Sequence, residues 1–468
     1  MGLESYKTAL SIKGDSGKDL TLLPGGLSVP KVNLLTRRVV ALCGLIYLVA
    51  QVFFLVYIQF PKNRNFDEFH YVPSAKQFLE LKPNQNYEHP PLAKELIAVG
   101  IAVGGDRPFG WRLMSTVFGA LTLVGMFLWG LAVFEKEEAA WLVTALTAVN
   151  QLLYVQARIG MLDTFMFAFL AWALAAFAGA WKVGQDPRTA RKLLYFSGAM
   201  FGLATACKWF AVLPWFACGG AVLLVHLLQR WGTRFDSREL PESEEDWYHP
   251  SLWKGVPLRT WLIGLIAIPV ACYYLTFIPY FFIPGMNFGL TDWLFTYQKN
   301  MYEGQLRVVG SHPYQSNWTS WALMLRPIWY AFDKEGSNPE TVRGVILLGN
   351  PLIMWGGLWA VLMCLWGWIE ERRREAFLIL FTYAVFYLSW AVVPRKVAFY
   401  YYYYPAGMTL SLALAYALMR PELRNFRWLR WGVAAVCLGI FVYFYPVLGA
   451  GRFQAETFRK WMWLQSWI

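Results

Sequence analysis

The chain has 468 residues, of which 57% are hydrophobic and 15% charged, with a formal net charge of +12. A soluble domain carries about a quarter charged residues, so a soluble globular protein is excluded. The basic residues are spread through short loops, which argues against a nucleic-acid partner and fits anionic lipid on a cytoplasmic face. Aromatic residues reach 18%, with 25 Trp, as in proteins with broad membrane-interface belts.

Residues 1–38 are polar and contain Lys31, Arg37 and Arg38, and read as a cytoplasmic N-terminal arm. Apolar runs long enough to span a bilayer follow at 39–60, 109–134, 139–157, 162–182, 193–208, 209–230, 259–283, 344–369, 376–393, 397–419 and 429–448. The first run begins too far in and is too long for a cleavable leader. The pattern predicts an all-α integral membrane protein, a bundle of about eleven transmembrane helices over 39–448 with two longer outer loops, 61–108 and 284–343. The arm and the loops on its side together hold a little over half of the Lys and Arg, which places the N-terminus in the cytoplasm and the C-terminus outside. The cytoplasmic loop 231–258 is acidic (Glu242, Glu244, Glu245, Asp246) and carries no assigned chemistry. Residues 449–468 form an outer interfacial tail with Phe453, Phe458, Trp461, Leu464 and Trp467 along one helical side. The six cysteines lie singly in apolar runs and read as small buried hydrophobes.

The spans carry almost no ionisable group at mid-depth, where pumps and transporters place theirs. Charges gather instead at the outer ends: Arg112, Arg158, Asp163, Lys208, Arg395 and Lys396. They join the first outer loop, with Asp67-Glu68, His89-Pro90-Pro91-Leu92-Ala93-Lys94 and then Arg112. The second outer loop adds Ser311-His312-Pro313-Tyr314 and Arg326. This is the layout of an active site at the membrane surface, fed by a lipid from the side and a second substrate from water. A lipid carrier with a phosphate head needs cations, and His89, Lys94, Arg112, Lys208, His312, Arg326 and Arg395 are the candidates, Arg112 foremost. A hydroxyl nucleophile needs a base, and Asp67 or Glu68 supplies one. Phosphate leaves without a strong acid when fixed cations take up its charge, so one displacement with inversion suffices. Adjacent side chains cannot face the same way, so Asp67 is read as the base and Glu68 as the partner of a neighbouring cation or substrate. Pro90 and Pro91 stiffen the approach to the next helix and orient His89. Arg158 and Asp163 read as a structural pair, and Tyr400–Tyr404 as interface packing. Asp67, His70, His89 and His312 have no recognised metal spacing, so no metal is expected.

These residues resemble the protein O-mannosyltransferases, membrane glycosyltransferases of the GT-C class. The likeness rests on Asp67-Glu68 followed by His89–Lys94, on Arg112 ahead of Val117-Phe118-Gly119, and on Ala157-Arg158-Ile159-Gly160-Met161-Leu162-Asp163. Lys208-Trp209, Ser311–Tyr314 and Arg326-Pro327 continue it over about 60–420. The resemblance implies a GT-C fold, a polyprenyl- or dolichyl-phosphate-mannose donor, a protein Ser or Thr acceptor and no cofactor or essential metal. It also implies catalysis by the acid matching Asp67. The second outer loop is too short for the family's MIR domain, which implies a minimal bacterial-type member in the plasma membrane. Many members carry Tyr-His where this chain has Tyr400–Tyr404. A lipid or glycan acceptor, as in aminoarabinose transferases, and a lipid-linked sugar transporter stay open as alternatives, as do the sugar and the oligomeric state.

Overall fold

A computed structural model describes residues 36–231, 247–307, 310, 312–335, 341–393 and 395–467. Most of the predicted arm (1–35), the acidic stretch Glu242–Asp246 and Ser311 lie outside these residues. Helix α1 (Arg37–Leu55) is capped by the Thr36 hydroxyl, which accepts from the Val39 amide at 3.2 Å. The first outer loop folds into α2 (Glu68–Leu79) and α3 (Leu92–Gly104). Then come α4 (Pro108–Phe134), α5 (Glu137–Ala148), α6 (Gln151–Gln156), α7 (Leu162–Ala180), α8 (Pro187–Cys207) and α9 (Val212–Trp231). The expected 139–157 span is broken at Asn150, whose side chain accepts from the Leu152 amide at 3.2 Å and starts α6 as a separate helix.

The expected 259–283 span contains α10 (Leu258–Leu262) and α11 (Ile268–Leu275), joined by a wide turn at Ile263–Ala267. Pro269 lacks the amide that would continue the regular ladder there. Beyond it lie α12 (Tyr297–Arg307) and α13 (Trp318–Trp321), strands β1 (Ile328–Glu335) and β2 (Thr341–Leu347), then α14 (Pro351–Ile369), α15 (Arg374–Leu388), α16 (Tyr404–Met419), α17 (Arg427–Leu448) and strand β3 (Arg452–Gln454). Among the described residues, seven helices are long and apolar enough to cross a membrane. The expected number, about eleven, is not reached by that measure. The α5–α6 run is interrupted, α15 and α16 are short, and α8 opens on Arg188, Arg191 and Lys192.

Helices α7 and α16 are buried along almost their whole length. Small residues let the central helices approach closely: a Cβ added at Gly125 of α4 would lie 2.9 Å from the Ala171 Cβ of α7. Helices α1, α14 and α17 form the rim and expose Val, Leu and Trp side chains such as Val52, Trp359 and Val442.

Two expectations are corrected. The 344–369 span begins as β2, whose Thr341-Val342-Arg343-Gly344-Val345-Ile346 stretch favours a pleated strand through its β-branched residues. The helix starts only at Pro351, capped by Asn350. Strands β1 and β2 pair antiparallel from Ile328↔Leu347 to Glu335↔Thr341. The C-terminal tail adds β3 at the edge, with Arg343 opposite Arg452, and is not a one-sided interfacial helix. Phe453, Trp461 and Trp467 are buried. The Trp467 indole donates to the Met324 carbonyl at 2.7 Å, and its own carbonyl accepts from Trp329 at 3.2 Å. These partners lie far away in sequence, so the tail's helical spacing did not report its shape. Trp467→Ala should cost about 3–5 kcal/mol, seen as a fall in Tm of detergent-solubilised protein, whereas Trp428→Ala on the exposed rim should leave Tm nearly unchanged.

Candidate active site

The first outer loop turns sharply at Phe66, a non-glycine residue at φ 49, a left-handed conformation that costs about 1–2 kcal/mol. Packing holds it there. The Phe66 ring sits 5.1 Å from Tyr330, 5.5 Å from His312, 5.5 Å from Phe399 and 5.9 Å from Tyr401. The turn sends Asp67 and Glu68 in different directions. Glu68 is fully buried and accepts from the Arg112 Nε and Nη2 groups at 2.8 Å each, the Asn65 amide at 2.9 Å and the Gly160 amide at 2.8 Å. Arg112 uses its remaining N–H groups on the carbonyls of Ile58, Pro61 and Asn63. Every donor of its guanidinium is engaged. The expectation that Arg112 grips a donor phosphate is therefore corrected, while Glu68 does fix a neighbouring cation, as read, and is too fully engaged to serve as a base: the two form a buried strut between the loop, α4 and the turn before α7.

Asp67 is half-buried and turns toward Tyr71 and Tyr401. Its Oδ2 lies 3.3 Å from the Tyr71 hydroxyl and 3.4 Å from the Tyr401 hydroxyl, which leaves Oδ1 clear of both. Burial raises its pKa above the ordinary aspartate value, while the Lys208 and His70 charges pull it back down. Lys208 caps the end of α8, and its ammonium donates to both Asp163 oxygens at 2.8 and 2.9 Å. Asp163 lies in the first turn of α7, where the helix dipole favours a carboxylate. The expected Arg158–Asp163 pair does not form. Arg158 donates to the Phe54 and Val56 carbonyls and lies over the Tyr154 ring.

Lys94 is buried at the start of α3 and donates to the carbonyls of Asn86 and, at 2.8 Å, His89. It stitches its own loop and reaches no phosphate position. Burial pushes its pKa down to about 7. Pro90 and Pro91 are buried beside it, and the Pro91 carbonyl accepts the Lys94 and Glu95 amides that open α3. Arg326 donates to the Pro313 carbonyl at 2.6 Å and holds the loop that carries His312. The exposed His312 ring packs edge-on against Phe66 and Phe399.

Three candidates gather around Tyr71 and Tyr402: Lys208, His89 and Arg395. Lys208 and Arg395 lie over the Tyr402 ring at 4.8 and 5.4 Å. Tyr402 stacks on Trp390, and Trp390 on Phe210, with centroids 4.5 and 4.9 Å apart. Arg395 and Lys396 also line a cavity of about 420 Å³ with Gln315, Asn317, Trp321 and Trp390. Val393 also lines it, and the preceding residue, Val392, is exposed. Sequence reasoning missed Tyr71 and Gln305 and read Tyr401 and Tyr402 as packing. Tyr71 could have been found, since it stands four residues after Asp67 on the same helical face. Gln305 could not, because its partner His89 is 216 residues away.

Solved structures share this architecture. The Saccharomyces cerevisiae protein O-mannosyltransferase Pmt1-Pmt2 complex bound to the sugar donor superimposes with a TM-score of 0.74 at 16% identity, over 96% of this chain and 97% of that one. ArnT from Cupriavidus metallidurans bound to undecaprenyl phosphate gives 0.55 at 16% identity, over 86% and 64%. The fold is that of an integral membrane glycosyltransferase of the GT-C class. Two family models match: Dolichyl-phosphate-mannose-protein mannosyltransferase over residues 88–235, and the C-terminal four-transmembrane region of protein O-mannosyltransferase over 290–467. Similar relatives are the polyprenol-phosphate-mannose–protein mannosyltransferases of Mycobacterium tuberculosis H37Rv, 26% identical over 86% of each chain, and Corynebacterium glutamicum, 24% identical over 86% of this chain and 88% of that one. The chain belongs to the protein O-mannosyltransferase family.

Removing one partner of a buried ion pair strands the other. Glu68→Gln and Arg112→Met should each lose about 3–5 kcal/mol of stability and yield little folded protein in size-exclusion chromatography. Asp67→Asn should elute and melt like the native protein.

Proposed function

We propose that the chain transfers a mannosyl residue from a polyprenyl or dolichyl phosphate to a Ser or Thr hydroxyl of a protein on the non-cytoplasmic side, with inversion. The observation that carries this reading is one carboxylate with a clear oxygen, Asp67, held by Tyr71 and Tyr401 within the field of Lys208, with Lys208 and Arg395 over one ring, Tyr402, and Arg395 lining a cavity. Asp67 Oδ1 takes the proton of the acceptor hydroxyl as its oxygen attacks the anomeric carbon. The bond from that carbon to the phosphate oxygen breaks, and the lipid phosphate leaves with the electron pair. Tyr71 and Tyr401 hold the other carboxylate oxygen and aim the base. Arg395 and Lys396 take the phosphate, the role first assigned to Arg112, and Lys208 keeps Asp67 ionised. Fixed side-chain cations supply the charge, so the reaction needs no metal or cofactor. The family relatives named for polyprenol-phosphate-mannose support the donor class, and their names support a protein acceptor. The basic bias of the loops supports an N-terminus in the cytoplasm and a site outside, in a bacterial plasma membrane.

Asp67→Asn should lower peptide mannosylation from lipid-phosphate mannose by about 10²–10⁴-fold without changing Tm. Near-native turnover in that variant would remove Asp67 from the mechanism. Arg395→Ala should raise the donor KM about tenfold, the loss of one charge-assisted contact, with a smaller change in peptide KM.

The base works only when ionised. Its raised pKa means that activity falls as pH drops through a value above the ordinary aspartate range. Lys208→Met removes a charge that lowers the Asp67 pKa, so the acid limb of kcat/KM should move to still higher pH. An unmoved limb would show that a different group sets it.

A further inference from the structure

Helix α12 and the wide turn ahead of it, Asp292–Thr296, carry three different stripes. Trp293, Tyr297, Met301 and Gly304 recur at helical spacing and pack inward. Leu294, Phe295, Tyr302 and Leu306 are exposed and largely apolar. The third stripe, Asp292, Thr296, Asn300, Glu303 and Arg307, is polar and lines a second cavity, of about 360 Å³. Asn84 and Tyr87 of the first outer loop also line it, with Asn287 and Phe288. Part of this wall is braced: Asn84 Oδ1 accepts from the Asn86 amide at 2.9 Å, and the Tyr297 hydroxyl donates to that of Tyr280 at 2.9 Å. Asn287, Thr296 and Asn300 stay exposed.

The cavity adjoins the loop of the proposed base. Tyr87 stands two residues before His89, whose ring packs edge-on against Tyr71 at 6.0 Å, and Tyr71 donates to Asp67 at 3.3 Å. Gln305, near the end of α12, donates to the Glu88 carbonyl at 2.6 Å and accepts from Arg395. The Arg307 end of the polar stripe is therefore the nearer to these groups, and the Asp292 end the farther.

We propose that this cavity seats the polypeptide carrying the acceptor hydroxyl, at residues remote from the reacting one, and that Asp292 selects a basic residue there. The proposal rests on the reading of the acceptor as a protein. Asparagine amides present a donor beside an acceptor, the pattern that a peptide group offers in return. At about 1.5 Å per residue the stripe runs about 22 Å, the reach of about six or seven residues of extended chain. A single sugar ring is far shorter, and a lipid tail laid there would desolvate carboxylates and a guanidinium without pairing them. Glu303 and Arg307 pair with each other at 3.5 Å, whereas Asp292 accepts from the Gly289 amide at 3.1 Å and has no cationic partner among the described residues. The charge left for an incoming chain is thus a carboxylate, which attracts Lys or Arg.

The test uses the full-length protein in detergent, lipid-phosphate mannose, and peptides with one Thr and a single Lys or Glu at successive positions on either side of it. On one side only, and remote from the Thr, Lys should give kcat/KM about two- to fivefold above Glu, the range of an exposed ion pair. Asp292→Asn keeps the bond to the Gly289 amide and should abolish that preference; Asp292→Lys should reverse it. Thr296→Trp and Asn300→Trp fill the cavity from exposed positions. Each should raise the KM of the long peptide about tenfold and leave unchanged both the donor KM and the turnover of a minimal Thr acceptor with a single residue on either side. An unchanged peptide KM in both Trp variants overturns the proposal, and so does a Lys preference that survives Asp292→Lys. A donor KM that rises together with the peptide KM also overturns it, since the stripe would then serve the donor. If the native protein mannosylates no peptide, the protein-acceptor reading fails, and fluorescence anisotropy of the labelled Lys peptide judges the cavity by itself. Binding to native protein that Thr296→Trp abolishes upholds the seat; binding that is absent, or equal in both proteins, overturns it.

Discussion

The outer half of the molecule depends on the ion pair between Glu68 and Arg112, both fully buried. Taking two such charges out of water costs several kcal/mol per ion, which their mutual attraction recovers only if every remaining donor and acceptor is satisfied. Here it is. Four N–H groups meet the carboxylate, and three carbonyls take up the rest of the guanidinium. The strut contributes less as net stability than as uniqueness of geometry: the segment 58–68, the start of α4 and the turn before α7 have a single arrangement that satisfies all these bonds. Asp67 inherits its direction from that arrangement. With Glu68 pinned inward and Phe66 held left-handed, the neighbouring carboxylate has to turn toward Tyr71 and Tyr401.

Charge in this protein divides by burial and by partner. Arg112, Lys94, Arg158 and Arg326 spend their donors on backbone carbonyls or on Glu68 and keep loops closed. Lys208 and Arg395 both lie over the Tyr402 ring, with Asp163 as the side-chain partner of Lys208 and Gln305 as that of Arg395, which also donates to the Val397 carbonyl. A cation over the stacked Tyr402–Trp390–Phe210 rings is partly desolvated, and its field acts more strongly there than in water. The run Tyr400–Tyr404 thus has two roles in one sequence. Tyr401 and Tyr402 lie under Lys208, while Tyr400, Tyr403 and Tyr404 pack into the bundle at the head of α16.

The cavity and the proposed base are built from distant parts of the chain. Asp67 and His89 come from the first outer loop, Gln305 and Gln315 from the second, and Arg395 and Lys396 from the segment before α16. Helix α12 and the β1–β2 hairpin flank these pieces, and β3 pairs with Thr341–Arg343 along the outer edge of β2. An edge strand left open would expose unpaired backbone. Pairing with β3 covers the start of β2.

Amino-acid order alone determined the membrane class, the run of apolar segments and the gathering of acid, base and cation in the outer loops, because hydropathy and local motif spacing are read over a few residues. It also determined that Asp67 and Glu68 must part company, since neighbours along a backbone cannot share a face. Tertiary structure decided which cations stay available. Arg112 and Lys208 look alike in sequence, each at the outer end of an apolar run, and differ only in the partners that distant backbone brings to them. The same holds for the tail, whose indoles find carbonyls in 324 and 443, and for Gln305, whose meaning comes from His89 and Arg395. A hydrogen-bond donor's role depends on its nearest acceptor, and in this fold the nearest acceptor is usually far away along the chain.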